Sequence, residues 1–440
     1  MHGTNPSSYA RGLAGFEPFP VVGRVCKVHA GEIEADGPDV TVGMQCDVSS
    51  TGERTESVRA LVAAVSDSRV KLVPFASVTN VRIGDAVRAV DTFARFAVGD
   101  QFAGRAIDGL SRALDGRQDP PPSFETVTDV PPLDRISPNQ ILATGIRSID
   151  GLLTLGRGQR IGIVAPSGVG KTQLVNQILA MAEYDRAVVC LVGERGREVE
   201  ATWRQLRTGE APEKATLVAA TSEETAPMRV RAVDQALALA QYWRSRGESV
   251  LFVLDSVTRY AMALREIGLV AGEPPTARAY TPNVFRELPR IVEGCGASRK
   301  GGAITAIVTV LSESEESDDP LVEIMKSLLD GHIVLSRALA QAGHFPAIDI
   351  GRSVSRLFDA LVDREQYGAA SRVRSWLAKY DESRILVASG MYKSGTDREL
   401  DVAIAARGGI ERFLRQGPSE GCSAKAAKRE LSALVNSHGS

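Results

Sequence analysis

Residues 161–180 read IGIVAPSGVGKTQLVNQILA, in which a short apolar run, a glycine-containing loop and an amphipathic segment follow one another. The run Ile161–Ala165 predicts a buried strand because it is short, nearly continuous in apolar residues and bounded by a loop. After Lys171 the apolar residues recur at steps of three and four, which predicts a helix. Strand, loop and helix in this order are the structural context of a phosphate-binding loop.

The loop itself, APSGVGKT, has the residues that such a site needs. Gly168 and Gly170 allow backbone amides to turn towards phosphate oxygens, and the helix N-terminus adds a positive dipole end. Lys171 would reach the β and γ phosphates of ATP, and the Thr172 hydroxyl would ligate Mg2+. Ala165 stands where the usual pattern has glycine. The alternative is an ordinary glycine-rich turn with an exposed lysine. The candidate nucleotide-binding residues of the loop are Pro166, Ser167, Gly168, Val169, Gly170, Lys171, Thr172 and Gln173.

Two acidic residues that follow apolar runs are predicted at the same sheet edge. The run 250–254 ends in Asp255, which would hold Mg2+ directly or through water, because carboxyl ends of parallel strands lie beside the phosphate loop. The run 187–192 leads into Glu194, which would orient and polarise the attacking water. Arg195 would neutralise phosphate charge. The alternatives are a helix cap for Asp255 and a solvated charged loop around Glu194.

The apolar pattern predicts a small barrel at the N-terminus. Residues 21–105 consist of short β-rich segments broken by Gly, Pro, Asp and Asn, which is typical of a barrel. The predicted strands are 21–28, 40–48, 58–65, 70–73 and 86–89. Residues 1–20 are predicted to be an N-terminal tail, and residues 106–138, with their proline-rich stretch, a linker.

The remainder of the chain is predicted to form an α/β domain followed by helices. Residues 139–360 alternate buried strands with helices, as in a parallel sheet covered on both faces. The predicted elements are strands at 161–165, 187–192, 250–254 and 304–311 and a helix at 227–246. Residues 361–440 are predicted to be a helical C-terminal domain.

Composition narrows the functional class. The 52 basic and 54 acidic residues nearly cancel, so the chain has no overall field to hold nucleic acid or an anionic membrane. Aromatic residues at 5% are too sparse for a base-stacking surface. The scattered cysteines lack zinc-site spacing and are typical of a reducing compartment. With no apolar run of the ~20 residues that span a bilayer and no signal-peptide region, we expect a cytoplasmic protein without a nucleic-acid partner.

Five segments together resemble the ATPases of bacterial type III protein secretion, which serve flagellar export and injectisomes and are related to the catalytic β subunit of rotary ATP synthases. The segments are ATGIRSIDGLLTLGRGQRIGIVAPSGVGKT, GERGREV, LFVLDSVTRYAMALREIGLVAGEPP, LLDGHIVLSRALAQAGHFPAIDIGRSVSRL and IERFLRQ. The resemblance extends from about Gly23 to Leu434. It implies a RecA-like P-loop NTPase core with an N-terminal β-barrel and a C-terminal α-helical domain.

The resemblance also implies partners and further site residues. It implies a homohexameric ring at the cytoplasmic face of the inner membrane, which contacts export substrates, chaperones, and stalk and regulator proteins. ATP and Mg2+ would lie between neighbouring subunits. Arg259 would belong to the same half of the site as the phosphate loop, Phe345 would stack on adenine, and Arg356 would reach in from the next subunit as an arginine finger. Taken without the resemblance, Phe345 fits a core position and Arg356 a surface arginine.

Three other functions are compatible with a phosphate loop in a ring. A non-catalytic nucleotide-binding subunit would lack a water-orienting glutamate, and Glu194 argues against it. An RNA translocase is disfavoured by the neutral net charge. A rotary synthase β subunit is disfavoured because it usually has GERTREG where this chain has GERGREV.

Two segments depart from the secretion family, the acidic stretch Glu313 to Asp319 and ARAYTPNVF. The acidic stretch is interpreted either as a solvated loop or as a loop that faces the central channel of a ring. The residues do not distinguish a flagellum from an injectisome.

Overall fold

The structure, a computed structural model, describes residues 21–49, 57–67, 69–78, 80–90, 96–125, 129–209, 211–312 and 319–438 of the 440-residue chain. The described residues form two compact units, one built on an N-terminal barrel and one that contains a central sheet and the C-terminal helices. The predicted tail, residues 1–20, and most of the acidic stretch, residues 313–318, lie outside the described residues.

The first unit contains a closed antiparallel barrel, which confirms the predicted N-terminal fold. Its strands are β1 (Gly23–His29), β2 (Glu32–Ala35), β3 (Gln45–Ser49), β4 (Ser57–Ser66), β5 (Arg69–Pro74) and β6 (Ala86–Val90), in the order β1-β2-β5-β4-β3-β6 around the barrel. Alternate side chains enclose an apolar core in which Ile33, Leu72 and Val87 are fully buried. The strand predicted at 40–48 begins later, because Gly43 turns the chain at a φ of 91° just before β3.

A mostly parallel sheet forms the core of the second unit and confirms the predicted α/β class. The longer strands are β11 (Arg160–Ala165), β12 (Arg186–Val192), β13 (Ala215–Ala220), β14 (Ser249–Asp255), β16 (Ala303–Leu311), β17 (Gly331–Leu335) and β18 (Ile348–Ser355). The shorter ones are β7 (Ala106–Ile107), β8 (Arg135–Ile136) and β15 (Gly296–Ser298), while β9 (Ile141–Leu142) and β10 (Leu155–Gly156) form a separate pair. The strand order is β18-β17-β11-β16-β14-β12-β13-β7; β15 also pairs with β16, and β8 pairs with β15. Every residue of β12 and β14 except the first is buried, as expected when helices cover both faces.

The strands β13, β17 and β7 of this sheet do not follow from the sequence pattern, and neither do the short strands β8 and β15. The run that forms β13, ATLVAA, suits a helix or a strand by composition, and its parallel pairing with β12 decides for a strand. The glycine and histidine at the start of β17 likewise weaken the strand signal. β7 falls inside the segment predicted as a linker, yet it pairs with β13, and Phe102 and Ile107 are fully buried. The first part of that segment therefore belongs to the second unit.

Helices flank the central sheet and continue to the C-terminus. They are α1 (Arg147–Leu152), α2 (Lys171–Met181), α3 (Gly196–Thr208), α4 (Ala226–Ser245), α5 (Val257–Ala271), α6 (Pro282–Glu293), α7 (Pro320–Leu328), α8 (Arg337–Gln341), α9 (Phe358–Leu361), α10 (Arg364–Ala388), α11 (Arg398–Leu414) and α12 (Ala424–Asn436). Asp319, the last residue of the acidic stretch, caps α7 by accepting a hydrogen bond from the Leu321 N–H. Within the described residues, no helix has the length and apolar character of a membrane span.

The C-terminal helices share one core with the central sheet. Phe413 of α11 and Leu431 of α12 lie in the same apolar cluster as Ile149 of α1 and Ile163 of β11. Gly151 of α1 allows a close approach, because a Cβ there would lie 2.7 Å from the Phe413 ring. The C-terminal helices therefore pack against α1 and share an apolar core with the strand that leads to the phosphate loop.

Candidate nucleotide site

The predicted phosphate loop lies between β11 and α2. β11 ends at Ala165, and α2 begins at Lys171. Gly168 and Gly170 have φ angles of 80° and 92°, in the left-handed region that favours glycine. A Cβ on Gly168 would meet no atom within 4 Å, so the space beside this glycine is open. The loop is therefore a backbone cradle of the kind that binds phosphate.

Lys171 joins the two predicted carboxylates. Its ammonium is ion-paired with Asp255, and its Nζ lies 3.7 Å from Oε1 of Glu194. The side chains of Lys171, Glu194 and Asp255 are 11%, 15% and 6% exposed. The three residues come from different parts of the chain, and the strand order β11-β16-β14-β12 brings them to one edge of the sheet.

Thr309 also lies at this site, although it is not among the residues predicted from the sequence motifs. Its buried hydroxyl lies on β16, between β11, which leads to the phosphate loop, and β14, which ends in Asp255, and it donates a 2.7 Å hydrogen bond to Asp255 Oδ1. The apolar run AITAIVTVL contains two hydroxyls, those of Thr305 and Thr309, and a buried hydroxyl needs a partner, so the sequence signals polar contacts here without indicating which threonine contacts the site. Thr309 thus holds the carboxylate that is predicted to bind Mg2+.

Glu194 follows β12 in a tight turn. Gly193 has a φ of 71°, and its N–H donates to the Ala220 carbonyl at 2.8 Å. Burial raises the pKa of Glu194 from 4.5 to about 7; Lys171 opposes this shift, and Asp255 and Glu198 add to it. A carboxyl group with a pKa near neutrality, beside a phosphate loop, is suited to accept or relay a proton.

The two arginines predicted in this half of the site have different surroundings. Arg259, on α5, packs against the turn before Glu194, because a Cβ on Gly193 would lie 2.9 Å from the Arg259 Cβ. Its Nε is buried and has no hydrogen-bond partner among the described residues. Arg195 is exposed, as is Thr172 at the start of α2. The structure therefore places Arg259 against the cluster and leaves the Arg195 side chain at the surface.

Phe345 lies against the phosphate loop. A Cβ on Gly170 would lie 3.5 Å from its ring, and 39% of the Phe345 surface is exposed. The ring borders an open cleft of about 350 Å³. The cleft is lined by Gln173, Gly343, Phe345, Arg415, Gln416, Gly417, Pro418 and Glu420. An exposed aromatic face in a cleft beside the loop fits a base-stacking role better than a core role.

The segment after α11 forms the other side of this cleft, which the sequence analysis did not predict. The Gln416 N–H donates to the Phe345 carbonyl at 2.9 Å. The Gln416 side chain, 5% exposed, donates to the Gly145 carbonyl and accepts from the Arg147 N–H, both at 2.7 Å. These bonds attach the helical region to the nucleotide site. The sequence signal, IERFLRQ, contributed to the resemblance without indicating a contact.

Arg356 lies at the opposite edge of the sheet from the phosphate loop. It follows β18, which is antiparallel to β17, and its N–H bonds to the carbonyl of Asp330. The N–H of Asp330 bonds to Arg160 at the start of β11, and the phosphate loop follows Ala165 at the end of that strand. At about 3.3 Å per residue the two ends of β11 are roughly 17 Å apart. The exposed Arg356 therefore lies at the other end of β11 from the phosphate loop of its own chain, where its Nη2 donates a 2.9 Å hydrogen bond to the Lys326 carbonyl.

The residues present fit a nucleotide with its metal. The open glycine cradle and the unpartnered Nε of Arg259 suit phosphate oxygens. Thr172 and Asp255 supply the hard oxygen donors that Mg2+ prefers. When bound, Mg2+ would neutralise charge on the phosphates.

Comparisons with known proteins agree over nearly the whole chain. The ATP synthase alpha/beta family, nucleotide-binding domain, matches residues 145–355, and the T3SS EscN ATPase C-terminal domain matches residues 362–433. The flagellum-specific ATP synthase of Pseudomonas aeruginosa is 40% identical over 98% of both chains. The SPI-2 type 3 secretion system ATPase of Salmonella typhimurium is also 40% identical, over 91% of this chain and 92% of the relative.

Solved structures agree as well. The assembled ATPase EscN from enteropathogenic E. coli is 38% identical and superimposes with a TM-score of 0.89, covering 94% of this chain and 100% of that one. EscN in complex with its central stalk EscO is 37% identical with a TM-score of 0.85 and the same coverage. Together, the phosphate loop, the carboxylates and these similarities show that the chain is an ATPase and belongs to the family of flagellum-specific and type III secretion ATPases.

Proposed function

We propose that this chain hydrolyses ATP, with Mg2+, at sites shared between neighbouring copies in a homohexameric ring, and so drives protein export through a type III apparatus. The observation that carries the proposal is the cluster of Lys171, Glu194 and Asp255 at the phosphate loop of one chain, with Arg356 at the far edge of the same chain. One chain thus presents two incomplete halves of a site.

The first half binds ATP and prepares water for attack. Lys171 and the loop amides hold the phosphates, while Thr172 and Asp255 hold the metal. Arg259 adds positive charge beside the turn, and Phe345 supplies the adenine face. The Glu194 carboxylate orients the water in line with the γ phosphate, which is the step that a non-catalytic subunit would lack.

The second half is Arg356, which acts on the site of the next subunit. An arginine finger stabilises charge on the transferring phosphoryl group and contributes about 10³ to 10⁵ in rate. Arg195, which is exposed and belongs to the same half as Glu194, neutralises charge on the phosphates. EscN, which resembles this chain over most of its length, has been solved as an assembled ATPase, and this supports assembly of such chains.

Coupling to export follows from the family. We propose that the ring works at the cytoplasmic face of the inner membrane, binds a stalk protein as EscN binds EscO, and uses hydrolysis to release chaperones and unfold export substrates. Relatives from flagella and from an injectisome have the same 40% identity, so the proposal covers the export machinery that both share.

Two variants test the catalytic half. Lys171→Ala and Glu194→Gln should each abolish turnover, while Glu194→Gln retains nucleotide binding, measured by fluorescence of a labelled ATP analogue. Glu200→Gln is the matched control, because Glu200 lies on α3 and pairs with Arg204 away from the cluster. Near wild-type hydrolysis by Glu194→Gln would show that another group activates the water.

A further inference from the structure

The backbone that carries Arg356 is fixed by a cluster of hydrogen bonds. The carbonyl of Asp330 accepts the Arg356 N–H at 2.9 Å and the side-chain amide of Gln159 at 3.2 Å. The same amide donates to the Ser355 hydroxyl at 3.0 Å, and Gln159 is fully buried. Arg356 is therefore bonded directly to the turn at Asp330, and Ser355 is linked to it through Gln159.

The Asp330 carboxylate clamps this turn onto β11. Oδ2 accepts hydrogen bonds from the Arg160 backbone N–H at 2.9 Å and from its Nε at 3.0 Å, while Oδ1 accepts from Nη2 at 3.0 Å. The backbone N–H of Asp330 donates back to the Arg160 carbonyl at 2.8 Å. A bidentate arginine–carboxylate pair restrains direction as well as distance. The turn therefore has one favoured position on β11.

Close packing transmits that position to β18. Gly331, the residue after Asp330, has a φ of 154°, and a Cβ there would lie 2.3 Å from the Val354 carbonyl oxygen. β17 and β18 are therefore in close backbone contact at Val354, one residue before Ser355. A shift of the Asp330 turn would therefore displace the end of β18 and Arg356 with it.

We infer that Asp330 is a positioning residue for Arg356, so that a carboxylate outside the phosphate loop controls hydrolysis at the site of the neighbouring subunit. The inference rests on the proposed shared site. Displacement of a catalytic group by about 1 Å can cost about a hundredfold in rate. Loss of the clamp should thus slow the neighbour's chemistry without changing how the neighbour binds ATP.

Mixed rings test this role directly. Arg356→Ala chains retain the catalytic half, and Lys171→Ala chains retain the finger, so their mixture should recover activity at about a quarter of the interfaces in a random ring. Adding Asp330→Asn to the Lys171→Ala chain should lower the recovered kcat by about tenfold or more and leave the KM for ATP unchanged. The chain that carries Asp330→Asn is already inactive, so the loss must arise at its neighbour.

Glu293→Gln on the Lys171→Ala chain is the matched control. Glu293 also contacts Arg160, at 3.1 Å from its Nη1, but it makes no described contact with the Asp330 turn. Glu293→Gln should leave the recovered activity within about twofold of that of the simple mixture. Thermal unfolding and co-purification of differently tagged chains measure folding and mixing. If Asp330→Asn prevents mixing, Ser355→Ala takes its place, because it removes the contact with Gln159. We expect a smaller loss of the recovered activity from Ser355→Ala.

The outcomes separate the inference from the proposed function. The positioning role of Asp330 would be overturned if Lys171→Ala chains recovered the same activity with and without Asp330→Asn. Full recovery with Ser355→Ala, where that variant replaces Asp330→Asn, would have the same meaning. Either result would leave the shared site standing. Equal losses from Asp330→Asn and Glu293→Gln would also overturn it, because the cause would be a general weakening around Arg160. No recovery from the simple mixture would instead overturn the shared site itself.

Discussion

Thr309 places a hydroxyl against the carboxylate that we propose for Mg2+, and it does so from the strand between the phosphate-loop strand and the Asp255 strand. Thr309→Val keeps the shape and removes the donor. Hydrogen bonds to charged groups contribute about 1.5–3 kcal/mol, so we expect kcat to fall by about tenfold or more and half-saturating Mg2+ to rise. Titration of ATPase activity with Mg2+ measures both.

Thr309→Ser is the matched variant, because it restores the hydroxyl. It should recover most of the activity lost in Thr309→Val. Unchanged kcat and Mg2+ dependence in Thr309→Val would show that Asp255 needs no such support.

The pKa of Glu194 predicts a pH dependence. Folding raises this pKa from 4.5 to about 7, so the folded chain favours the protonated carboxyl group. The contribution of this group to the stability of the fold is therefore lost as the pH rises from about 4.5 to about 7. The base is the ionised form, so kcat/KM for ATP should fall about tenfold per pH unit below about 7. Initial rates at low ATP across the pH range measure it, and a flat profile between about pH 5 and 7 would contradict the assignment.

Among the individual residues of the site, some could be predicted from the sequence. Lys171, Asp255 and Glu194 each follow an apolar run, and the carboxyl ends of parallel strands share one edge, so their meeting could be expected. Thr309 and Asp330 could not be identified in this way. Their roles depend on which strands are neighbours, and that order is set by packing between distant segments rather than by local pattern.

The segment after α11 shows how a whole element supports the site. Gln416 holds that segment to Gly145, Arg147 and Phe345 through side-chain and backbone bonds. Gln416→Ala leaves buried partners unsatisfied, at about 1–3 kcal/mol each. We expect a lower melting temperature and a KM for ATP that rises more than kcat falls. Thermal unfolding and steady-state kinetics measure these changes.

Gln205→Ala controls for loss of a glutamine, because Gln205 is exposed on α3. It should leave both quantities near the wild-type values. A Gln416→Ala chain with normal KM would show that the C-terminal segment does not support the base-binding cleft.

Elements were predictable where the local signal was strong. The runs 161–165, 187–192, 250–254 and 304–311 form β11, β12, β14 and β16 with small differences at the ends. β13 is rich in alanine, and β7 is two residues long and follows a turn-rich segment. Pairing with a neighbouring strand, which no local pattern encodes, determines both.

For the whole molecule, the two proposed halves of the site lie at opposite ends of the strands of one sheet, so the proposal makes assembly a condition for catalysis. Arg356→Ala should lower turnover by roughly a thousandfold or more and leave ATP binding intact. Labelled-nucleotide binding and phosphate release measure the two properties. An equal weakening of binding would indicate a structural role for Arg356 instead.

The most direct test of the shared site is the ATPase activity per chain as a function of chain concentration, followed together with the assembled fraction by mass photometry. We predict that activity per chain rises in step with assembly and that Arg356→Ala chains assemble without this rise. Equal activity per chain for isolated and assembled wild-type chains would contradict a site completed by a neighbour.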